Sequence, residues 1–166
     1  ATAQLFYAAI AGARERLWIT TAYFAPDQAL LAALCQAAAR GVDVRILVNG
    51  PNVDKEVVRE TGQGHYGHLM EAGVRIFEYQ QTMLHAKVMI ADSWANLGSS
   101  NLEHRSLGLD DELIVAFSDP VVVEELAEHF HDDLKVSVEF DLDRWKRRSL
   151  AKRAREAAGN VFRQSL

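Results

Sequence analysis

The sequence predicts an α/β domain: a mixed β-sheet flanked by helices on both faces. Two observations carry this reading. Strand and helix signals alternate from Leu17 to Tyr79, the order that builds parallel strands joined by helical crossovers. The alternation then gives way to two short strands meeting at Asp92-Ser93, a hairpin signal that adds antiparallel strands.

In chain order, Ala1-Thr2-Ala3-Gln4 already follows a helical pattern and begins without Met, which suggests a segment cut from a longer chain. Leu17 to Phe24 is β-branched and aromatic and ends before Pro26, the mark of a strand. Asp27 is placed to cap the next helix, where Leu30, Leu31, Leu34, Cys35 and Ala38 recur at helical spacing until Gly41. Val42 to Val48 is a second strand, and Asn49-Gly50-Pro51-Asn52 a loop. A helix is predicted from Lys55 to Ala72, broken or loosened near Gly62 and Gly64 and ended by Gly73, before a third strand from Val74 to Tyr79. Ala86 to Ala91 and Trp94 to Leu97 form the hairpin, and Leu113 to Phe117 is another strand. Asp119 or Pro120 opens a helix running through Leu134, and Asp141 starts a final basic one. With no internal repeat and no long linker, residues 1–140 read as one domain and 141–166 as a basic C-terminal helix.

Size and composition narrow the class. A chain of 166 residues, 49% of them hydrophobic, can bury a core of its own. No apolar run approaches the ~20 residues of a membrane-spanning helix, and nothing has the layout of a signal peptide. One cysteine, Cys35, excludes a disulfide framework and reads as a small core residue. The net charge of −5 hides an asymmetry: Asp141 to Leu166 holds 8 Lys/Arg against 3 Asp/Glu, and the rest of the chain 10 against 20. Nucleic-acid binding asks for basic residues across the body of a domain, and this body is acidic.

The chemistry concentrates in Leu84-His85-Ala86-Lys87-Val88-Met89-Ile90-Ala91-Asp92. Two residues apart on an extended chain, His85 and Lys87 face the same side. A neutral imidazole beside an ammonium suits one phosphate, the ring as nucleophile and the cation neutralising the non-bridging oxygens. Downstream, Gly98-Ser99-Ser100-Asn101 supplies a glycine for close backbone approach and donors at Ser99 and Asn101. A carboxylate in Asp110-Asp111-Glu112 is a candidate to accept from the second nitrogen of His85 and set its tautomer.

His-x-Lys-x4-Asp followed by Gly-Ser-x-Asn resembles the signature of the phospholipase D superfamily. Ala22-Tyr23-Phe24-Ala25-Pro26, Ala72-Gly73-Val74-Arg75-Ile76, Gly98 through Leu107 and the basic tail with Trp145 look like the C-terminal half of bacterial cardiolipin synthases. The resemblance covers essentially the whole chain. It implies a phospholipase D-like fold and phosphatidyl transfer through a phosphohistidine intermediate, with no metal or other cofactor. His85 is then the nucleophile or the acid/base, Lys87 and Asn101 hold the phosphate, Ser99 assists and Glu112 orients His85. Asp92 belongs to the signature, lies away from the phosphate and fixes local structure. Family enzymes face two such motifs, so the implied partner is a missing N-terminal half or a second copy of the chain. The implied substrate is a phosphatidylglycerol-like phospholipid, and the implied location is the cytoplasmic face of a bacterial membrane, with the fragment itself soluble.

Other residues carry weaker signals. His65 and His68 are three apart on a predicted helix with no third metal ligand in view, and a polar helix face explains them more simply. His129 and His131 read as surface or packing residues. Tyr23 and Phe24 fit either a substrate pocket or the core, and Arg105 either a headgroup contact or a solvated salt bridge. In the tail, Leu142, Trp145, Leu150, Ala154, Ala157 and Val161 recur among basic residues, which suits an interfacial helix on anionic lipid or a helix docked on protein. Three functions stand: a cardiolipin synthase or phospholipase D-type hydrolase, a single-motif homodimeric nuclease or phosphodiesterase, and a non-catalytic half-domain.

Overall fold

A computed structural model describes residues 2–52, 56–103 and 111–147. Helix α1 (Thr2–Gly12) leads to β1 (Arg16–Thr20) and the short β2 (Phe24–Ala25). Then come α2 (Gln28–Ala39), β3 (Asp43–Asn49), α3 (Glu56–Glu71) and β4 (Arg75–Tyr79). The second half holds β5 (Val88–Ala91), β6 (Trp94–Gly98), β7 (Leu102–Glu103), β8 (Ile114–Phe117), α4 (Pro120–Lys135), β9 (Ser137–Glu139) and α5 (Leu142–Lys146).

Among the described residues, seven strands form one sheet in the order β8-β6-β5-β1-β3-β4-β9. The pairs β1–β3 and β3–β4 are parallel; β1–β5, β5–β6, β6–β8 and β4–β9 are antiparallel. This is the mixed sheet predicted from the sequence. Strand alternation sorts its side chains onto two covered faces. Leu17, Ile19, Ile46, Ile76 and Met89 pack with Ile10 of α1, Leu34 of α2 and Leu69 of α3. Trp18, Leu47, Phe77 and Ile90 pack on the other side with Val123, Ala127 and Phe130 of α4. There Trp18 stacks on Phe130 with ring centroids 5.4 Å apart, and His131 meets it edge-on at 4.6 Å.

The helix starts follow from short polar side chains. Asp27 accepts from the Leu30 N–H at 2.8 Å at the head of α2. Asp119 accepts from Val121 N–H at 2.8 Å, with Pro120 in the first turn of α4. Asp141 caps α5, accepting from Arg144 N–H at 2.7 Å.

Three elements differ from the sequence reading. The strand predicted over Leu17 to Phe24 stops at Thr20. There the buried Thr21 hydroxyl donates to the Tyr23 carbonyl at 2.9 Å, and the chain steps aside so that β2 pairs with β7 in a separate two-stranded sheet. The strand predicted from Ala86 begins at Val88, because β1 ends opposite that residue and offers no ladder to 85–87. The helix expected to loosen near Gly62 and Gly64 runs unbroken from Glu56 to Glu71. Gly62 is needed for closeness: a Cβ there would stand 2.0 Å from the Phe24 carbonyl oxygen. Two short strands, β7 and β9, had no counterpart in the sequence reading.

The start of the basic tail is docked on the domain. Trp145 is buried against Phe140 at 5.3 Å and Tyr66 at 5.6 Å between ring centroids, and Lys146 pairs with Glu71 at 2.9 Å. The rest of the predicted tail helix, from 148 to 166, lies outside the described residues.

Candidate active site

One edge of the sheet gathers the motif residues. Thr20 pairs with Val88 and Val88 with Leu97, so the end of β1, the start of β5 and the end of β6 lie side by side. The end of β3 joins them through its parallel pairing with β1. In open α/β sheets, ligands bind just outside the carboxyl ends of parallel strands. His85, Lys87 and Ser99 stand beyond that line.

His85 is exposed, and its ring meets Tyr23 edge-on at 6.1 Å between centroids. The Lys87 ammonium donates to the His85 carbonyl at 2.7 Å, which folds the cation back beside the motif's own backbone. Asn101 is buried, and its Oδ1 accepts from the Tyr23 N–H at 3.3 Å. With the carbonyl end engaged, the NH₂ is the amide's remaining donor end. Tyr23 therefore touches both halves of the motif, with its ring on His85 and its backbone on Asn101. Phe24 is buried and packs 6.3 Å from Tyr66, a core position.

Ser99 accepts from the Leu113 N–H at 3.0 Å and donates its hydroxyl to the Glu112 carboxylate. The sequence reading aimed Glu112 at His85; in the structure the carboxylate takes the Ser99 hydroxyl instead. The register explains this, since Gly98 pairs with Ile114 and brings Ser99 beside residues 112–113. Gly98 is required for that approach, because a Cβ would lie 2.1 Å from the Leu113 carbonyl oxygen.

Asp92 stands at the other end of β5, five residues along the extended chain or about 16 Å from Lys87. It occupies the hairpin turn at φ 53, and its carboxylate accepts from the backbone N–H groups of Arg14 (2.9 Å), Glu15 (2.9 Å) and Arg16 (3.0 Å). Partial burial disfavours its charge. The three N–H bonds and the nearby Arg16 guanidinium outweigh that, so its pKa lies below the ordinary aspartate value. Asp92 thus ties the β5–β6 hairpin to the start of β1.

Two polar residues at this edge carried no functional signal in the sequence. Asn49, the last residue of β3, had been read as the opening of an Asn-Gly-Pro-Asn loop. It is 3% exposed: its amide NH₂ donates to the carbonyls of Ala22 (2.7 Å) and Leu84 (2.8 Å), and its oxygen accepts from Leu84 N–H at 2.6 Å. Thr21, also buried, accepts from the Leu102 N–H at 3.3 Å. The available signal was a polar residue ending an apolar parallel strand, where sites form.

His65 and His68 lie on α3, and among the described residues no group of three or more His, Cys, Asp or Glu is placed to hold a metal. Arg105 lies outside the described residues.

Comparison with known proteins fixes the family. Residues 6–134 match the family described as "Cardiolipin synthase, PLD-like domain". The chain belongs to this family. Over 154 residues it is 40% identical to Cardiolipin synthase 2 of Bacillus anthracis, an alignment that takes in 92% of this chain and 30% of that protein. The chain spans about 30% of the length of that protein and of its counterparts from Bacillus cereus and Bacillus subtilis. Two solved structures share the fold at low identity. Nuc from Salmonella typhimurium, a phospholipase D family member, superposes with a TM-score of 0.70 at 22% identity, over 82% of this chain and 89% of that one. Phosphatidylserine synthase from Haemophilus influenzae gives 0.74 at 13% identity, over 97% of this chain and 41% of that one. Among the described residues of this cardiolipin synthase-family domain, no helix is long and apolar enough to cross a membrane.

Proposed function

We propose that this chain supplies one of two facing half-sites in an enzyme that makes cardiolipin by transferring a phosphatidyl group between phospholipids. The observation that carries the reading is the exposed His85 imidazole at the sheet edge, with Lys87 beside it and Asn101 joined to it through Tyr23, in a cardiolipin synthase-family domain. A ring nitrogen of His85 attacks phosphorus as the bond to the leaving alcohol breaks, and the leaving oxygen takes its proton from the second motif. An acceptor alcohol then gives its proton to that same group and attacks phosphorus, releasing His85. Which of the two histidines attacks and which donates the proton is interchangeable in this scheme. Lys87 and Asn101 stabilise the charge on the non-bridging oxygens. Ser99, held by Leu113 and Glu112, extends that polar wall, so Glu112 acts on the site through Ser99. The second motif comes from another part of a longer chain or from a second copy, and the anionic membrane surface is the implied setting.

The test uses the assembled enzyme with phosphatidylglycerol vesicles, following cardiolipin and phosphatidic acid together. Cardiolipin formation, lost in His85→Ala with the fold intact, is the expected result. Lys87→Ala and Asn101→Ala should each cost about 3 kcal/mol in the barrier, the scale of losing one oxyanion donor. Phosphatidic acid alone would make the enzyme a hydrolase. Cleavage of DNA with no lipid product would overturn the lipid reading in favour of a nuclease.

A further inference from the structure

Residues 85–87, which carry the chemistry, belong to no strand ladder. Downstream, their backbone is fixed by the Gly98 N–H, which donates to the Lys87 carbonyl at 3.2 Å. Upstream, at Leu84, the sheet offers no neighbouring backbone, and the Asn49 side chain takes its place. An amide that both donates to and accepts from one residue reproduces the pair of hydrogen bonds a neighbouring strand would give.

We propose that Asn49 is a positioning residue for His85: its buried amide locks the Leu84 backbone to the end of β3 and to the Ala22 carbonyl, and so sets where the imidazole stands. The proposal rests on the reading of His85 as a reacting group. At 3% exposure Asn49 is too buried to meet substrate, so it acts through its neighbours. Leu84 is held twice, by those two bonds and by its side chain in the core beside Trp18 and Leu47. The next Cα along, at ~3.8 Å, is that of His85. The second amide hydrogen goes to the Ala22 carbonyl, immediately before Tyr23. Tyr23 packs its ring on His85 and gives its N–H to Asn101, and Thr21 fixes the far side through Leu102. Segment 21–23 is therefore the shared reference for the His85 loop and the Asn101 loop, and Asn49 is its link to the former. A buried polar cluster with every member bonded specifies one geometry, because each alternative leaves a group unpaired.

The experiment takes the assembled enzyme with phosphatidylglycerol and compares wild type with Asn49→Asp and Asn49→Ala. For Asn49→Asp, kcat should fall about 100-fold, the scale of a misplaced reacting group. KM should move by less than about twofold, since Asn49 makes no substrate contact. An aspartate there faces two carbonyl oxygens in a buried setting, so its pKa rises. On acidification it protonates and regains one donor, and activity relative to wild type should recover. Two readouts need no substrate. In wild type the Leu84 amide should resist hydrogen exchange as sheet amides do, although it lies in no strand. In Asn49→Asp the His85 imidazole resonances should move as the ring shifts relative to Tyr23. Unchanged kcat in a folded variant overturns the proposal. So does rapid exchange at Leu84 in wild type, which decides the matter even if neither variant folds. A wild-type enzyme that turns over no phosphodiester would instead sink the functional reading, and Leu84 protection with the His85 resonances would still judge the clamp.

Discussion

Asp92 separates the motif's chemistry from its architecture. Its carboxylate takes three backbone N–H groups at the sheet end remote from His85, so its removal should damage the fold before it damages the reaction. Charge-assisted bonds of this kind are stronger than neutral ones, and Asp92→Ala should cost on the order of 3 kcal/mol in urea unfolding. The pH dependence has a definite sign. A carboxylate whose pKa is lowered by folding contributes stability above its unfolded pKa, and that contribution is lost as pH falls through the folded value. The stability gap between wild type and Asp92→Asn should therefore hold at neutral pH and close as acid protonates the carboxylate, below the ordinary aspartate value of 3.8. A gap that stays constant down to the acid transition would show that the charge is not what the three N–H groups recognise. Where the Asp92 variant folds, His85 should keep its surroundings.

Among the elements, α3 sets helix propensity against tertiary contact, and the contact decides. Gly62 in mid-helix invites replacement by alanine, which propensity alone favours by about 1 kcal/mol. Yet a Cβ would lie 2.0 Å from the Phe24 carbonyl oxygen, a backbone atom of the segment that carries Tyr23. Gly62→Ala should therefore destabilise by about 1–3 kcal/mol, as overpacking does, and displace β2. Gly12→Ala meets nothing within 4 Å and serves as the control, unchanged or slightly more stable. Urea midpoints at constant slope decide it, and a more stable Gly62→Ala would show that α3 and β2 are not in contact. The same position marks the limit of what the sequence discloses. Alternating apolar runs and capping aspartates revealed the main strands and helices, because those signals are local: Asp27 and Asp119 cap the helices they precede. The motif was legible for the same reason, as six residue types at short, fixed spacing. Gly62 reads as a breaker until its distant neighbour is known. β7 and β9, two and three residues long, exist through the strands they pair with. Asn49 looked like a turn residue because Asn-Gly-Pro-Asn is a loop signal, and its partners lie 27 and 35 residues away in the chain.

At the scale of the whole molecule, the site is open and contains one motif. Behind Tyr23, a cavity of about 10 Å³ bordered by Ala22, Val48, Asn49, Arg59 and Tyr66 has room for at most one water, so substrate must sit on the solvent side of the ring. There His85 is exposed, with no second imidazole among the described residues placed to face it. In-line displacement at phosphorus needs a nucleophile on one side and a proton donor for the leaving oxygen on the other. A single copy of this domain should therefore bind a phosphodiester weakly and turn it over at no measurable rate, while an assembly that brings a second His-x-Lys motif opposite His85 should be active. Dilution separates the two sources of that motif. If it comes from a second copy of this chain, initial rate at low enzyme should rise with the square of concentration, and mixing His85→Ala with wild type should leave hybrid pairs short of one imidazole. If it comes from elsewhere in one longer polypeptide, rate should rise linearly and mixing should change nothing. Turnover by a verified monomer carrying this motif alone, with the rate of the full assembly, would end the two-motif account.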